Sequence, residues 1–409
     1  MFSAIQNGGV SSVSRSWESL RGFLCSALLI LMCLLGVFPL DVILPSFPAL
    51  ADEFHVESQQ IAYSVSFFAF GVALAQIVIG PLSDGMGRKS LLLAGLGVSI
   101  AGAVGCVFST NYETFMAFRL LQALGCGSFV LGQALVQDLY SGKQRNAMRI
   151  LLTSASGLFI SLSPVAGAFL QHSFGWQGSF TVFVFIAVIV SCLSYVLLQD
   201  TPAPRGGRTP GMRSYLVMLR DTTFLAHSIL SSLAFACHFS FIVVAPLVLM
   251  DSLGLTPYQF SMVFIAYGLA YIAGGAVATY FNNRVSPQVQ IKTGFLLIAA
   301  GGITLLIWEQ VAGLTVMGVV LPMIVCTTGT TLVRPAATTQ ALARYPQQAG
   351  AAASLSTTLL FASGGLAGSL VAGVESALPM SLGLLFLSAS LCGWLLLAYM
   401  TETLTSTRV

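Results

Sequence analysis

About twelve apolar stretches, each long enough to cross a bilayer, leave this chain almost no fold other than a bundle of membrane-spanning helices. A hydrocarbon layer about 30 Å thick takes some 20 residues of helix at about 1.5 Å each. The stretches are 22–48, 59–80, 90–108, 112–138, 149–170, 178–198, 223–249, 258–281, 293–308, 311–333, 350–371 and 380–400. Inside lipid every backbone polar group must be satisfied within the protein, which favours helix even across Pro164, Pro246, Pro322 and the Gly274-Gly275 pair. Composition agrees. Only 8% of residues are charged and 56% are hydrophobic, whereas a soluble domain carries about 25% charge. The expected fold is therefore an all-α polytopic membrane protein of twelve transmembrane helices.

Basic residues orient such a chain, because short cytoplasmic loops hold an excess of Lys and Arg. With both termini inside, Arg15, Arg21, Arg88, Lys89, Lys143, Arg145, Arg149, Arg205, Arg208, Arg213, Arg220, Arg284, Lys292, Arg344 and Arg408 all fall on the inner side. The two left over from the total of 17, Arg119 and Arg334, lie within or at the edge of spans. The outer loops carry acids only, among them Asp52, Glu53, Glu57, Asp251 and Glu375. Ala49-Leu50-Ala51 looks like a signal-peptidase site, but the preceding apolar run is too long for a signal peptide and carries Asp41, so no cleavage is expected. The eight cysteines all fall inside expected spans, where they read as small hydrophobes. No Cys or His pattern suggests a metal, and a net charge of +3 gives no footing for nucleic acid.

The longest inner loop, rich in Pro, Gly and Arg, divides the chain into equal parts. The expected organisation is a cytoplasmic segment 1–21, a six-helix bundle 22–198, a linker 199–222, a second six-helix bundle 223–400 and a tail 401–409. Two parallel halves of this kind place substrate near the midplane between them.

Between spans 2 and 3 stands Gly80-Pro-Leu-Ser-Asp84-Gly-Met-Gly87-Arg88-Lys89. Its glycines allow a tight turn. Asp84 is placed to face a helix N-terminus or to pair with Arg88, and a breakable ion pair there would be a conformational latch. This decapeptide resembles the loop signature of the major facilitator superfamily. Arg119-Leu-Leu-Gln122-Ala-Leu-Gly125 in span 4 is similar to an element of its drug/proton antiporters. Gly157 with Ser163-Pro164-Val-Ala-Gly167 in span 5 resembles their antiporter helix element. Asp41-Val-Ile-Leu-Pro45-Ser-Phe-Pro48, Gln137-Asp138-Leu-Tyr140 and Tyr345-Pro346 are similar to features of the bicyclomycin/chloramphenicol-resistance group. Ser163 and Ala168 depart from the usual glycines but stay small, so close packing survives. Gln177 stands where relatives commonly carry Arg. The resemblance implies the major facilitator fold and proton-coupled efflux across a bacterial inner membrane. It implies no bound cofactor, the proton gradient being the energy source, and a monomer whose partners are a small-molecule substrate, protons and lipid.

Asp41 and Arg119 are the leading candidate residues. Charge at such depth costs about 2.5–3.5 kcal/mol on insertion scales and faces a partner or a cavity. Each lies about seven residues, or about 10 Å, from the outer end of its span, so the two could pair; the alternatives are that Asp41 is a helix-end residue reaching outer water and that Arg119 is a structural residue holding helix backbone carbonyls. A carboxyl between burial, which raises its pKa, and an arginine, which lowers it, is suited to exchanging a proton. Gln122 lies one turn beyond Arg119 on nearly the same face. His238, mid-span 7, either titrates, binds substrate or packs through a hydrogen bond. Tyr267 and Tyr271 share one face of span 8, as pocket lining or as helix packing.

The function expected is secondary active transport by alternating access, exporting drugs or small amphipathic molecules. The alternative is a dedicated exporter or importer of one polar metabolite, such as a siderophore or nucleoside. No Gly-x4-Gly-Lys-Ser/Thr loop points to an ATP-driven pump, and four scattered histidines (55, 172, 227 and 238) offer no catalytic constellation.

Overall fold

A computed structural model describes residues 5–199, 212–282, 284–374 and 377–406. Twelve of its helices are long and apolar enough to cross a membrane. In chain order spans 1–12 are Leu20–Phe54, Ser58–Gly80, Arg88–Val107, Tyr112–Val136, Ser154–Phe174, Gln177–Leu197, Thr222–Ser252, Pro257–Asn282, Pro287–Ala312, Val316–Ala343, Gly350–Ala372 and Leu378–Met400. Their alternation gives the bundle two ends: a basic end carrying Arg88 and Lys89, and an acidic end carrying Asp52 and Glu57.

The two halves repeat one packing scheme. Spans 1–5, 1–6, 2–4, 3–4 and 3–6 pack together in the first half, and spans 7–11, 7–12, 8–10, 9–10 and 9–12 in the second. Each pair becomes its counterpart on adding six. The halves meet along two seams, spans 2–11 and 5–8, which the same rule interchanges. Ser354 and Thr358 of span 11 donate to the carbonyls of Gln76 (2.5 Å) and Ala73 (3.3 Å) in span 2. Ser261 of span 8 donates to the Pro164 carbonyl of span 5 at 2.9 Å. Span 7 is almost wholly buried, while spans 6 and 12 turn Phe185, Val196, Leu391 and Leu395 outward, as lipid-facing helices do.

Several spans are broken where the sequence gives a physical reason. The first helix ends at Asp41, since Pro45 has no N–H to give the Asp41 carbonyl. A short 3-10 turn, Leu44–Ser46, and a further helix, Phe47–Phe54, carry span 1 past its expected end. Span 4 passes through a 3-10 turn at Gly127–Val130, and span 7 finishes in a π-helical turn, Leu247–Ser252. The expected linker 199–222 contains a helix, Met212–Arg220, and is otherwise largely outside the described residues.

Spans 9 and 10 divide later than their composition suggests. The expected break lay at Trp308-Glu309-Gln310; the helix instead runs to Ala312 and the next begins at Val316. Gly313, with φ +69°, ends the first helix in a conformation that glycine adopts freely. Thr315 caps the second by accepting from the Gly318 N–H at 3.1 Å, and the Trp308 indole clasps Thr315 at 3.0 Å. Span 10 also continues beyond residue 333 to Ala343, straight through Pro335. Arg334 is therefore nine residues, about 13 Å, inside the span rather than at its edge.

Candidate functional site

The break in span 1 organises the first half of the site. Asp41 is buried at the last turn of the helix, and Gly167 of span 5 packs directly against the Val42 carbonyl just beyond it. A Cβ on Gly167 would stand 3.0 Å from the Val42 carbonyl carbon and 3.3 Å from the Pro45 ring. The helix's last regular bond runs from the Val42 N–H to the Phe38 carbonyl at 3.0 Å. The next carbonyl, that of Pro39, accepts instead from Arg119 at 2.9 Å. Arg119 thus caps the helix end of span 1, where the carbonyl dipoles attract a cation.

The expected pairing of Asp41 with Arg119 is not what the structure holds. The Arg119 guanidinium donates to Gln122 Oε1 at 2.8 Å and to the Pro39 carbonyl, and it lies over the rings of Phe68 (4.4 Å) and Phe180 (5.6 Å). The physical reason is the helix break, which frees a backbone acceptor beside Arg119. Only a cavity of about 10 Å³ remains between Arg119, Gln122, Pro39 and Phe180, room for at most one water. Gln122, expected to line a pocket, is occupied holding Arg119.

Asp41 faces the other half. Span 8, which carries Tyr267, packs on the 3-10 turn that follows Asp41. Tyr267 and His238, both buried, share a short hydrogen bond and stack with ring centroids 5.4 Å apart. Tyr271, one turn on, lies 5.9 Å from the His238 ring, and its Cδ1 is 3.6 Å from the Cβ position of Gly157 in span 5. The antiporter-like residues Gly157, Pro164 and Gly167 therefore line the junction between the halves: Gly157 faces span 8, Pro164 accepts from Ser261 and Gly167 abuts the break in span 1.

Beyond Tyr271 opens a cavity of about 660 Å³, within the usual range for drug-sized ligands. Its wall includes Thr279 and Asn282 of span 8, Gln290 of span 9, and Thr331, Arg334, Thr338 and Thr339 of span 10. Thr279, Asn282 and Thr339 are exposed, so the mouth lies toward the basic end. Arg334 was not among the expected site residues. The sequence signal was present, an arginine in an apolar stretch, but the premature end assigned to span 10 hid its depth.

At the basic end, Arg88 forms its ion pair with Asp138 at the end of span 4 and donates to the Ala134 carbonyl at 2.8 Å. The expected latch partner, Asp84, has its side chain outside the described residues. Gly87 takes φ +86° between the helices, the left-handed backbone that the motif's glycine permits. Gly80 packs against Ser354 across the 2–11 seam.

A family model described as the Major Facilitator Superfamily matches residues 24–369. The chain belongs to the Major Facilitator Superfamily. It is a transporter, not an enzyme, as its relatives are. It is 26% identical over 366 residues to a bicyclomycin resistance protein homolog of Haemophilus influenzae, covering 86% of this chain and 89% of that one. It is 26% identical over 340 residues to the multidrug resistance protein MdtL of Escherichia coli O81, covering 82% and 84%. Two solved superfamily folds superpose on it at 17% identity. The human organic anion transporter MFSD10 does so with TM-score 0.69, over 91% of this chain and 99% of that one. A D-xylose-proton symporter does so with TM-score 0.68, over 91% and 97%.

Proposed function

We propose that this superfamily member exports drugs or small amphipathic molecules in exchange for protons, by alternating access, across a bacterial inner membrane. Both termini are then cytoplasmic, since 15 of the 17 Lys and Arg residues fall at that side, and the 660 Å³ cavity opens inward. The protein acts as a monomer and needs no bound cofactor. The relatives named for bicyclomycin and multidrug resistance support the direction of transport.

The observation that carries the coupling is Asp41, buried at the break in span 1, where spans 5 and 8 meet it. A proton gained or lost there changes the charge at the junction of the halves. Tyr267 and His238 adjoin Tyr271 of the cavity wall, and span 8 also packs on the break beside Asp41, so substrate beside Tyr271 and a proton on Asp41 bias the same junction. One proton moving through about 100 mV yields about 2.3 kcal/mol, and one pH unit adds about 1.4 kcal/mol. Together these sustain a substrate gradient of a few hundred-fold.

Inverted vesicles with an imposed pH gradient, run over a drug and metabolite panel, test this reading. Wild type is expected to accumulate substrate in a protonophore-sensitive way, and Asp41→Asn to lose gradient-driven accumulation while remaining in the membrane. Full gradient-driven transport by Asp41→Asn would remove Asp41 from the mechanism.

A further inference from the structure

We infer that the inward cavity recognises substrates carrying a carboxylate or similar planar oxyanion on an aromatic body, with Arg334 as the anchor. This rests on the transport reading above and names the substrate class for the same cavity.

Arg334 is the cation in the cavity wall, and no acidic residue lines that wall among the described residues. The ion pairs of Arg88 and Arg344 are with Asp138 and Asp221; Arg334 has no such partner among the described residues. Its Nε is buried without a hydrogen-bond acceptor. Its guanidinium lies over the Phe235 ring, 4.9 Å from the centroid, and Phe235 packs at 6.1 Å from the His238 ring. The guanidinium thus rests against an aromatic ring, with donors left over. A planar, pre-oriented guanidinium matches an oxyanion through two parallel N–H···O bonds, which an ammonium cannot reproduce. The same wall carries Thr339, whose hydroxyl is available to a ligand, and Tyr271, which supplies an aromatic surface, while the hydroxyls of Thr331 and Thr338 bond to the Thr328 carbonyl and to Ser231. The wall therefore offers a charge to an anion and a ring to an apolar body.

The matched probes are dansylglycine and its neutral carboxamide, which share one fluorophore and differ in the charged group. Binding of each to the full-length protein in detergent is read from dansyl fluorescence. Wild type is expected to bind the carboxylate about tenfold more tightly than the carboxamide, the scale of a charge-assisted bidentate contact. Arg334→Gln should bring that ratio to about one, and Arg334→Lys, which keeps the charge and loses the fork, should fall between. A wild-type ratio of one, binding of neither probe, or a ratio unchanged in Arg334→Gln overturns the inference. Should Arg334→Gln not fold, the wild-type ratio and Arg334→Lys decide. Failure of the transport reading looks different: flux of wild type in proteoliposomes would ignore the pH gradient, whichever probe is bound.

Discussion

Arg119 and Arg334 occupy corresponding spans, the fourth of each half, yet the protein treats them oppositely. Arg119 is held by its own half: Gln122, the Pro39 carbonyl and two phenylalanine rings take up its two terminal amino groups and its faces, although its Nε, like that of Arg334, has no acceptor. Arg334 has one ring beneath it and a 660 Å³ cavity in front of it. A pair of similar bundles has thus spent one intramembrane cation on holding a helix break and kept the other free. Depth alone does not make an arginine functional; what matters is whether the fold has already satisfied it.

The sharpest way to break this comparison is stability. Arg119→Ala removes charged donors from a buried carbonyl and amide and leaves a void, at a cost of roughly 3–5 kcal/mol. Arg334→Ala removes a charge with no protein acceptor and should cost less than about 1 kcal/mol. Thermal unfolding in detergent, with each variant against wild type, reads the difference. Equal losses would mean that Arg334 is structural too.

A smaller effect tests the break that Arg119 caps. Gly167→Ala puts a methyl group against the Val42 carbonyl and the Pro45 ring, an overpacking worth about 1–3 kcal/mol. Because the clash falls beside Asp41, gradient-driven transport should drop more than the melting temperature implies. Normal transport with a normal melt would show that span 5 can yield there, and that the break is held by Arg119 alone.

How far these features could be read from the sequence follows from the same residues. The spans were legible because lipid demands long apolar helices, and Asp41 and Arg119 because charge is so scarce at their depth. The contact of Arg119 with Pro39 was not, since it depends on where span 1 breaks and how span 4 is rotated against it, neither of which hydropathy encodes. Arg334 was missed for a sharper reason. Arg334-Pro335 reads as a helix end, whereas a membrane helix tolerates Pro when neighbouring groups satisfy the freed carbonyl, and span 10 runs on to Ala343. The partner of Arg88 was in view as part of Gln137-Asp138-Leu-Tyr140, but proximity in sequence favoured Asp84.

The smallest effect concerns the basic end, where the second half has its own ion pair. Asp221 caps span 7 by accepting from the N–H groups of Thr223 (3.0 Å) and Phe224 (3.2 Å), and it also binds Arg344 (3.2 Å) and Tyr345 (3.1 Å). Partial burial pushes its carboxyl up, but the bonds from Phe224, Tyr345 and Arg344 outweigh that and hold it below its ordinary value. A depressed carboxyl stabilises the fold fully above its unfolded pKa of about 3.9, and the contribution is lost as pH falls through the lower folded value. Asp221→Asn keeps the cap, since Asn accepts the same bonds, and removes the charge. With Arg344 largely exposed, the loss near pH 7 should be under about 1 kcal/mol, and it should shrink as the pH drops below about 4. A loss of several kcal/mol would mean that the second half, like the first, leans on a buried-type charge for its stability. The freedom of Arg334 would then no longer separate the two bundles.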